Sequence, residues 1–291
     1  MRPGLGQLGT HSPKKLQLPP QTRTRRSANP KITIVVPSLN QGKFIEETLQ
    51  SIIEQDYPKL ELIVVDGGST DCTLRVIKNF EHHITWWTSE PDDGQAAAIN
   101  KGFRNSTGEI LGWLNSDDRL APGALDTIAL CFSSNPQVGV VYGNRILIDE
   151  NGCEVGRWVL PFHSSRVLRW ADFVPQETLY WRRAAWESVG SRLDERFQFA
   201  MDWDLLLRFA KMDQSFHHIP AYLGLFRVHQ AQKTKADMTS SGRTEMDLIR
   251  TRELGYSPAR RQIALNTLAY VSLAKLAEVF QQLRCTVSAT I

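Results

Sequence analysis

The chain has 291 residues, 42% of them hydrophobic, with 34 basic against 31 acidic side chains. That length holds one large α/β domain or two small ones around a substantial core. Seven of the basic residues fall in the first 31 positions, where there is no acid; the remainder has 27 basic against 31 acidic groups and offers no basic face of the kind that binds nucleic acid.

Residues 1–30 are rich in Pro, Gln, Arg, Thr and Gly and poor in large apolar groups, which predicts a disordered basic tail. They lack the apolar core of a secretory leader. No apolar run in the chain approaches the ~18 residues that a membrane-spanning helix needs. Cys72, Cys131, Cys153 and Cys285 form no Cys-x-x-Cys pair, so neither a zinc knuckle nor a disulfide framework is expected. The expected location is the reducing cytoplasm.

Order is predicted to begin at Ile32–Val36, a β-branched run bounded by Pro37 that reads as a buried parallel strand. A turn over 38–42 leads to a helix over 43–55, with Phe44, Ile45, Leu49, Ile52 and Ile53 at helical spacing and Tyr57-Pro58 as its stop. Leu60–Val65 is a second buried strand, running into Asp66-Gly67-Gly68-Ser69-Thr70-Asp71 and a helix over 71–80. Strand, turn and helix, twice over, is a Rossmann-like beginning of an α/β fold. A third strand is expected over 84–88, a polar turn over 89–94 and a helix over 95–105.

The fourth strand, 110–114, ends in Asn115-Ser116-Asp117-Asp118. In an open α/β sheet, ligands bind outside the carboxyl ends of the strands. Two adjacent carboxylates there repel and need a cation. Hard oxygen ligands suit Mg²⁺ or Mn²⁺ shared with substrate phosphates. Taken alone, Asp-Asp also fits a solvated turn before a helix. A helix over 122–133, a strand over 138–142 and a hairpin over 144–158 with its turn at 150–152 follow. Beyond them come a strand over 173–181, a short helix over 183–189 stopped by Gly190, and a helix over 199–212 with Trp203, Leu206, Leu207 and Ala210 as its apolar stripe. Short strands over 216–219 and 223–229 precede a polar, mobile stretch over 231–243 and amphipathic helix over 244–283, interrupted near 255–258. The expected division is a tail, 1–30; an α/β domain, 31–230; and a linker with C-terminal helices, 231–291.

Four motifs then stand in one order: Val36-Pro37-Ser38-Leu39-Asn40, Val65-Asp66-Gly67-Gly68-Ser69-Thr70-Asp71, Asn115-Ser116-Asp117-Asp118 and Met201-Asp202-Trp203-Asp204. This order resembles the family 2 glycosyltransferases over roughly residues 31–230. Each motif alone is weak, and four in sequence are specific. The resemblance implies a GT-A fold, a nucleotide-diphosphate sugar bound across the carboxyl ends of a mostly parallel sheet, and a divalent metal on an Asp-x-Asp-like motif.

Carried over residue by residue, it implies nucleotide contacts from Pro37, Ser38 and Asn40, and a base or ribose contact from Asp66. The family more often has a second Asp where this chain has Gly67. Gln95, at a helix N-terminus, suits phosphate or sugar hydroxyls. Asn100 of the same helix is likewise assigned to the nucleotide-sugar, though where many relatives carry an Arg before it this chain has Ile99. Asp118 is assigned to the metal, Asp117 to ribose or support, and His229 in Phe226-Arg227-Val228-His229 to metal or diphosphate. Asp202, at a helix start whose dipole keeps it ionised, is the candidate base. Gln176 is assigned to the acceptor pocket. The Gln-x-x-Arg-Trp motif of processive synthases is absent after Asp202, which favours single-sugar addition over polymer synthesis.

The implied function is metal-dependent, inverting transfer of one sugar, UDP-linked before GDP- or dTDP-linked, to a glycan or lipid-linked acceptor in surface polysaccharide or glycoconjugate synthesis. Peripheral contact with the inner face of the membrane through the C-terminal helices is part of that expectation. Two rivals remain. A nucleotidyltransferase would carry a Gly-rich basic loop after the first strand, which Ser38-Leu39-Asn40-Gln41-Gly42-Lys43 matches poorly. A non-catalytic binding module would have little reason to keep Asp66, Asp117, Asp118 and Asp202 together.

Overall fold

The computed structural model describes residues 11–18, 29–229 and 241–288. The sheet is built outward from β1 (Ile32–Ser38), every residue of which is buried. It pairs in parallel with β2 (Leu60–Asp66) on one side and β4 (Ile110–Trp113) on the other, and β2 pairs in parallel with β3 (Trp86–Ser89). Side chains alternate across a strand, so β1 serves two cores. Ile32, Ile34 and Val36 pack with Ile45, Leu49 and Ile52 of α1 (Ile45–Ile53). Val35 packs with Ala98, Ile99 and Phe103 of α3 (Gln95–Arg104) on the opposite face. Each such side chain contributes about 1.5–3 kcal/mol on full burial. α2 (Thr73–Asn79) covers the crossover from β2 to β3.

The chain runs outward from β1 to β3 and then returns to place β4 on the other side of β1. The strand order therefore reverses at β1, and a crevice opens outside the carboxyl ends there. The second half comprises β5 (Arg119–Leu120), α4 (Ala124–Ser134), β6 (Val140–Ile148), β7 (Glu154–Trp158), α5 (Ser165–Leu168), β8 (Tyr180–Arg182), α6 (Arg183–Ser188), α7 (Met201–Lys211), β9 (Phe216–Arg227), α8 (Ser241–Leu254) and α9 (Arg260–Ser288). Among the described residues the sheet reads β3-β2-β1-β4-β8-β6-β9-β5, with β7 beside β6. β8 runs antiparallel to both β4 and β6, and so ties the two halves together.

Three expectations change. The strand expected over 173–181 is only Tyr180–Arg182, because Gln176–Thr178 forms a 3-10 turn after Pro175, with Thr178 N–H on the Pro175 carbonyl at 3.1 Å. The strands expected over 216–219 and 223–229 are one strand, β9. The pairing with β6 slips between Tyr142↔His218 and Asn144↔Tyr222, which leaves Pro220 in a bulge where its missing N–H breaks no ladder bond. Part of the basic segment is ordered: Lys14 exchanges backbone hydrogen bonds with Glu154 at 3.0 and 2.8 Å, and its ammonium pairs with the Glu154 carboxylate at 3.1 Å. Residues 1–10 and 19–28 of the expected tail, residue 230 at the end of the expected α/β domain, and 231–240 of the expected linker lie outside the described residues; 241–243 already belong to α8. No helix among the described residues is long and apolar enough to cross a membrane.

Candidate active site

Where the parallel strands change from apolar to small polar residues, their ends surround one cleft of about 320 Å³. Pro37 and Ser38 close β1 and form one wall. The Ser38 hydroxyl is buried and has no partner among the described residues. Opposite, Gln95 opens α3 after Gly94 and donates from Nε2 to Asn115 Oδ1 at 2.7 Å, across the cleft floor. Gly94 has φ +109, and a Cβ on it would stand 2.9 Å from Gln198 Oε1. Glycine is therefore required both for the backbone and for the approach of Gln198. Gln198 and Phe226 complete the rim.

The two carboxylates that end the fourth strand have different surroundings. Asp118 is 1% exposed; its Oδ1 accepts the Arg227 N–H at 2.9 Å and its carbonyl accepts the Thr48 hydroxyl at 2.7 Å. Burial first, then the charges of Asp117 and Glu177, raise its pKa well above the usual carboxylate value. Asp117 is the more open of the two, and its Oδ2 meets His229 Nε2 at 2.9 Å. His229 is pinned by ring contact with Phe44, centroids 4.8 Å apart. Arg227 is fully buried and holds this corner: its side chain donates to the carbonyl of Asp117 at 2.9 Å and to the Glu47 carboxylate at 2.7 Å. The geometry thus joins His229 to Asp117; the expectation from sequence pairs His229 with Asp118 on the metal and gives Asp117 to ribose or support.

No group of three or more His, Cys, Asp or Glu gathers around a common point among the described residues. The Asp117–His229 pair nevertheless fits a divalent ion completed by substrate oxygens. The two are hydrogen-bonded to each other at 2.9 Å, and a carboxylate oxygen with an imidazole nitrogen is a donor set that divalent ions take.

Beyond the Gln198 rim, the first turn of α7 carries Asp202, half-buried, whose Oδ1 accepts the Trp203 N–H at 2.8 Å. Burial is the largest influence on it and pushes its pKa up to about 6; Glu177 pushes the same way, while backbone N–H bonds and Arg145 oppose. Asp172, in the segment after α5, lies close enough for the two carboxyls to act on each other, and burial followed by Asp202 holds it well above the carboxylate range. One buried cation faces this group. Arg145 of β6 grips Glu177 with Nε on Oε1 at 2.8 Å and Nη2 on Oε2 at 2.5 Å, and lies over the Phe226 ring at 4.4 Å. The Glu177 Cγ in turn occupies the space a Cβ on Gly224 would need.

Four predicted positions stand elsewhere. Asp66 is fully buried, and its carboxylate is taken by the Ser69 N–H and hydroxyl and by the Ser89 hydroxyl, so it braces the β2 loop. Asn40, at φ +52, ties two loops together: its N–H reaches the Ser69 hydroxyl and its Oδ1 accepts the Thr70 N–H. Asn100 is 2% exposed and turns away from the cleft, exchanging hydrogen bonds with the backbone of Leu193 at 2.7 and 3.0 Å. Gln176 donates to the Trp113 carbonyl at 2.9 Å, leaving its buried Oε1 without a partner among the described residues. It sits at the end of β4.

Sequence reasoning missed Asp92, Gln198, Arg145, Glu177 and Asp172. Asp92 was legible as the neighbour of Asp93 in a polar turn. Its carboxylate lies 3.0 Å from where a Cβ on Gly67 would stand, so it fills the space left by the glycine that replaces the family's second Asp. The others carry no local signature.

A profile described as Glycosyl transferase family 2 matches residues 33–175. The O-antigen biosynthesis protein RfbC of Myxococcus xanthus is 31% identical over 212 residues, 71% of this chain and 16% of that protein, so the chain spans about a sixth of its length. Among solved structures, the mannosyltransferase PcManGT of Pyrobaculum calidifontis, in complex with GDP-Man and Mn²⁺, is similar with a TM-score of 0.61 at 21% identity, over 91% of this chain and 81% of that one. TarS 1–349 of S. aureus, in complex with UDP-GlcNAc, is similar with a TM-score of 0.60 at 18% identity, over 84% and 72%.

Proposed function

The chain is a glycosyltransferase of family 2 with the GT-A fold, and on that premise we propose that it moves a single sugar from a nucleoside-diphosphate donor to an acceptor hydroxyl with inversion. The carrying observation is the convergence of Ser38, Gln95, Asn115 and Asp117 on one cleft at the reversal of the strand order, with Gln198 leading from its rim to Asp202. The donor class is that of the ligands bound by the two structural relatives, a UDP- or GDP-sugar. Asp66 is closed off, and Asp92 takes over the contact with ribose or base. Ser38 and the N-terminus of α3 present donors to the nucleotide and its diphosphate.

Asp117 and His229 would hold a divalent cation, Mg²⁺ or Mn²⁺. When bound, it neutralises the charge that builds on the departing diphosphate. Asp118 does its work from beneath, fixing the Arg227 backbone and with it the path to His229. Asp202, with its pKa near 6, is ionised at neutral pH yet basic enough to take a proton. As the acceptor oxygen bonds to the anomeric carbon, its proton passes to Asp202, and the bond to the phosphate oxygen breaks with its electron pair leaving on the diphosphate. A single displacement of this kind inverts the anomeric centre. The acceptor is a glycan or lipid-linked hydroxyl in surface polysaccharide or glycoconjugate synthesis.

The nucleotidyltransferase alternative lacks support at its key loop. The basic residue after β1, Lys43, pairs with Glu150 and is exposed away from the cleft wall. The test is a screen of UDP- and GDP-sugars for slow hydrolysis with Mn²⁺ and with Mg²⁺. One donor should be turned over only with metal, and Asp117→Ala should abolish it. Metal-independent turnover, or none with any donor alongside release of pyrophosphate from a nucleoside triphosphate and a sugar phosphate, would count against the reading.

A further inference from the structure

α7 starts without a cap of its own. Its N-cap residue is Ala200, which makes no side-chain capping bond, although a helix leaves its first backbone N–H groups without partners. An acceptor for the N-cap amide and for the two amides before it comes from α8. Glu245 Oε1 takes the Gln198 N–H at 3.0 Å, and Oε2 takes those of Phe199 and Ala200, both at 2.9 Å. A carboxylate on three amides at the positive end of a helix is a charge-assisted clamp. α8 is fastened to α7 further along as well: Arg252 donates to Asp204 at 2.5 Å, Lys211 pairs with Glu253 at 2.9 Å, and Arg250 lies over Trp203 at 5.2 Å. The clamped segment has function at both ends. Gln198 lines the cleft, and Asp202 is the second residue of α7.

We infer that Glu245 is a positioning residue for the transfer step: from the C-terminal helices, outside the family-matched residues 33–175, it fixes Gln198–Ala200 and thereby where Asp202 stands against the donor. This rests on the reading of Asp202 as the base. The charged groups facing Asp202 are Arg145 from β6, Glu177 from the 3-10 turn and Asp172 after α5; Asp204 on its own helix is taken by Arg208 and Arg252. Loss of the Glu245 carboxylate frees the amides of Gln198, Phe199 and the N-cap Ala200, which lead into α7, and removes a negative charge from that end of the helix. The uncompensated helix end then favours the charged form of Asp202, and its titration moves to lower pH.

The test uses the full chain and Mn²⁺-dependent hydrolysis of UDP-N-acetylglucosamine or GDP-mannose, whichever is turned over, for wild type, Glu245→Ala, Glu245→Gln and Asp202→Asn. Glu245→Ala should lower kcat by about tenfold or more, as small misplacements of reacting groups do, with donor KM within about threefold and the acid limb of kcat at lower pH than wild type. Glu245→Gln keeps one acceptor oxygen and should fall between; it carries the test if the alanine variant does not fold. A wild-type kcat, or a reduced kcat with an unmoved acid limb, overturns the inference, the second being what a purely structural clamp gives. Full activity in Asp202→Asn would overturn the reading of the base instead, whatever the Glu245 variants do.

Discussion

Asp202→Asn should make the protein more stable and close to inactive. The carboxyl has its pKa raised from 3.8 to about 6, mainly by burial. Below pH ~4 it is protonated in both folded and unfolded chains, and its charge costs nothing. Between ~4 and ~6 the unfolded chain ionises first, so stability falls as pH rises. Above ~6 the full penalty is present. A shift of about two units corresponds to about 3 kcal/mol at 1.36 kcal/mol per unit. The solvent-facing side of the half-buried carboxyl reduces that to about 1–3 kcal/mol. Asparagine removes the charge and keeps an Oδ1 for the Trp203 N–H, so the melting temperature should rise by roughly 2–8 °C at pH 7.5, and by only about a third as much at pH 4.5. Activity should drop by about 10²–10⁴, the usual contribution of a positioned general base. Calorimetric melts at several pH values, paired with donor hydrolysis, read both quantities. A variant less stable than wild type at pH 7.5, a gain equal at pH 4.5 and 7.5, or a wild-type acid limb near pH 4 refutes the reasoning.

The two carboxylates of Asn115-Ser116-Asp117-Asp118 should separate by phenotype. Asp117→Asn should lose Mn²⁺-dependent nucleotide binding in calorimetry with a near-native melt, whereas Asp118→Asn should retain measurable binding, because its carboxyl is 1% exposed and engaged by the Arg227 N–H. Arg145→Met strands Glu177, which is 1% exposed, and should cost about 3–5 kcal/mol in urea unfolding; adding Glu177→Leu should restore most of it. Gly94→Ala forces an L side chain to φ +109 against Gln198. It should cost about 1–3 kcal/mol and raise the donor KM several-fold, with kcat changed less.

The donor half of the site was legible because it is local. Each wall is a single strand-to-helix turn, and the turn's composition announces itself: Pro37-Ser38 after Ile32–Val36, Gly94-Gln95 before α3, Asn115–Asp118 after β4. The parallel sheet was legible for the same reason, since a strand buried on both faces reads as an unbroken apolar run. Side-chain placements that the sequence does not show are those set by a residue's own partners in the fold. Asp66 and Asn40 sit in family positions, yet serine and threonine neighbours engage both in this chain. Asn100 looked like a cleft residue by position on α3, but the helix turns it onto Leu193. Pro175 and Pro220 each altered the strand assignments, one by starting a 3-10 turn and the other by sitting in a bulge.

The acceptor half is distributed, and that follows from how the fold presents a base. Asp202 cannot come from a βα turn of the parallel half, since those ends are already given to the donor. It is delivered by a helix whose own start has no capping side chain, and its surroundings are assembled from β6, the turn after Pro175, the segment after α5 and α8. A single buried guanidinium, Arg145, reaches Glu177 directly and Asp118, Asp172 and Asp202 through space. Its removal should therefore do more than unfold: it should drive the Asp202 titration upward, opposite to the effect of removing Glu245. In Arg145→Met/Glu177→Leu, where stability is largely regained but both opposing charges are gone, the acid limb should return toward its wild-type position. A limb that stays displaced upward in the double variant would show that Arg145 acts on Asp202 itself rather than through the balance of the pair.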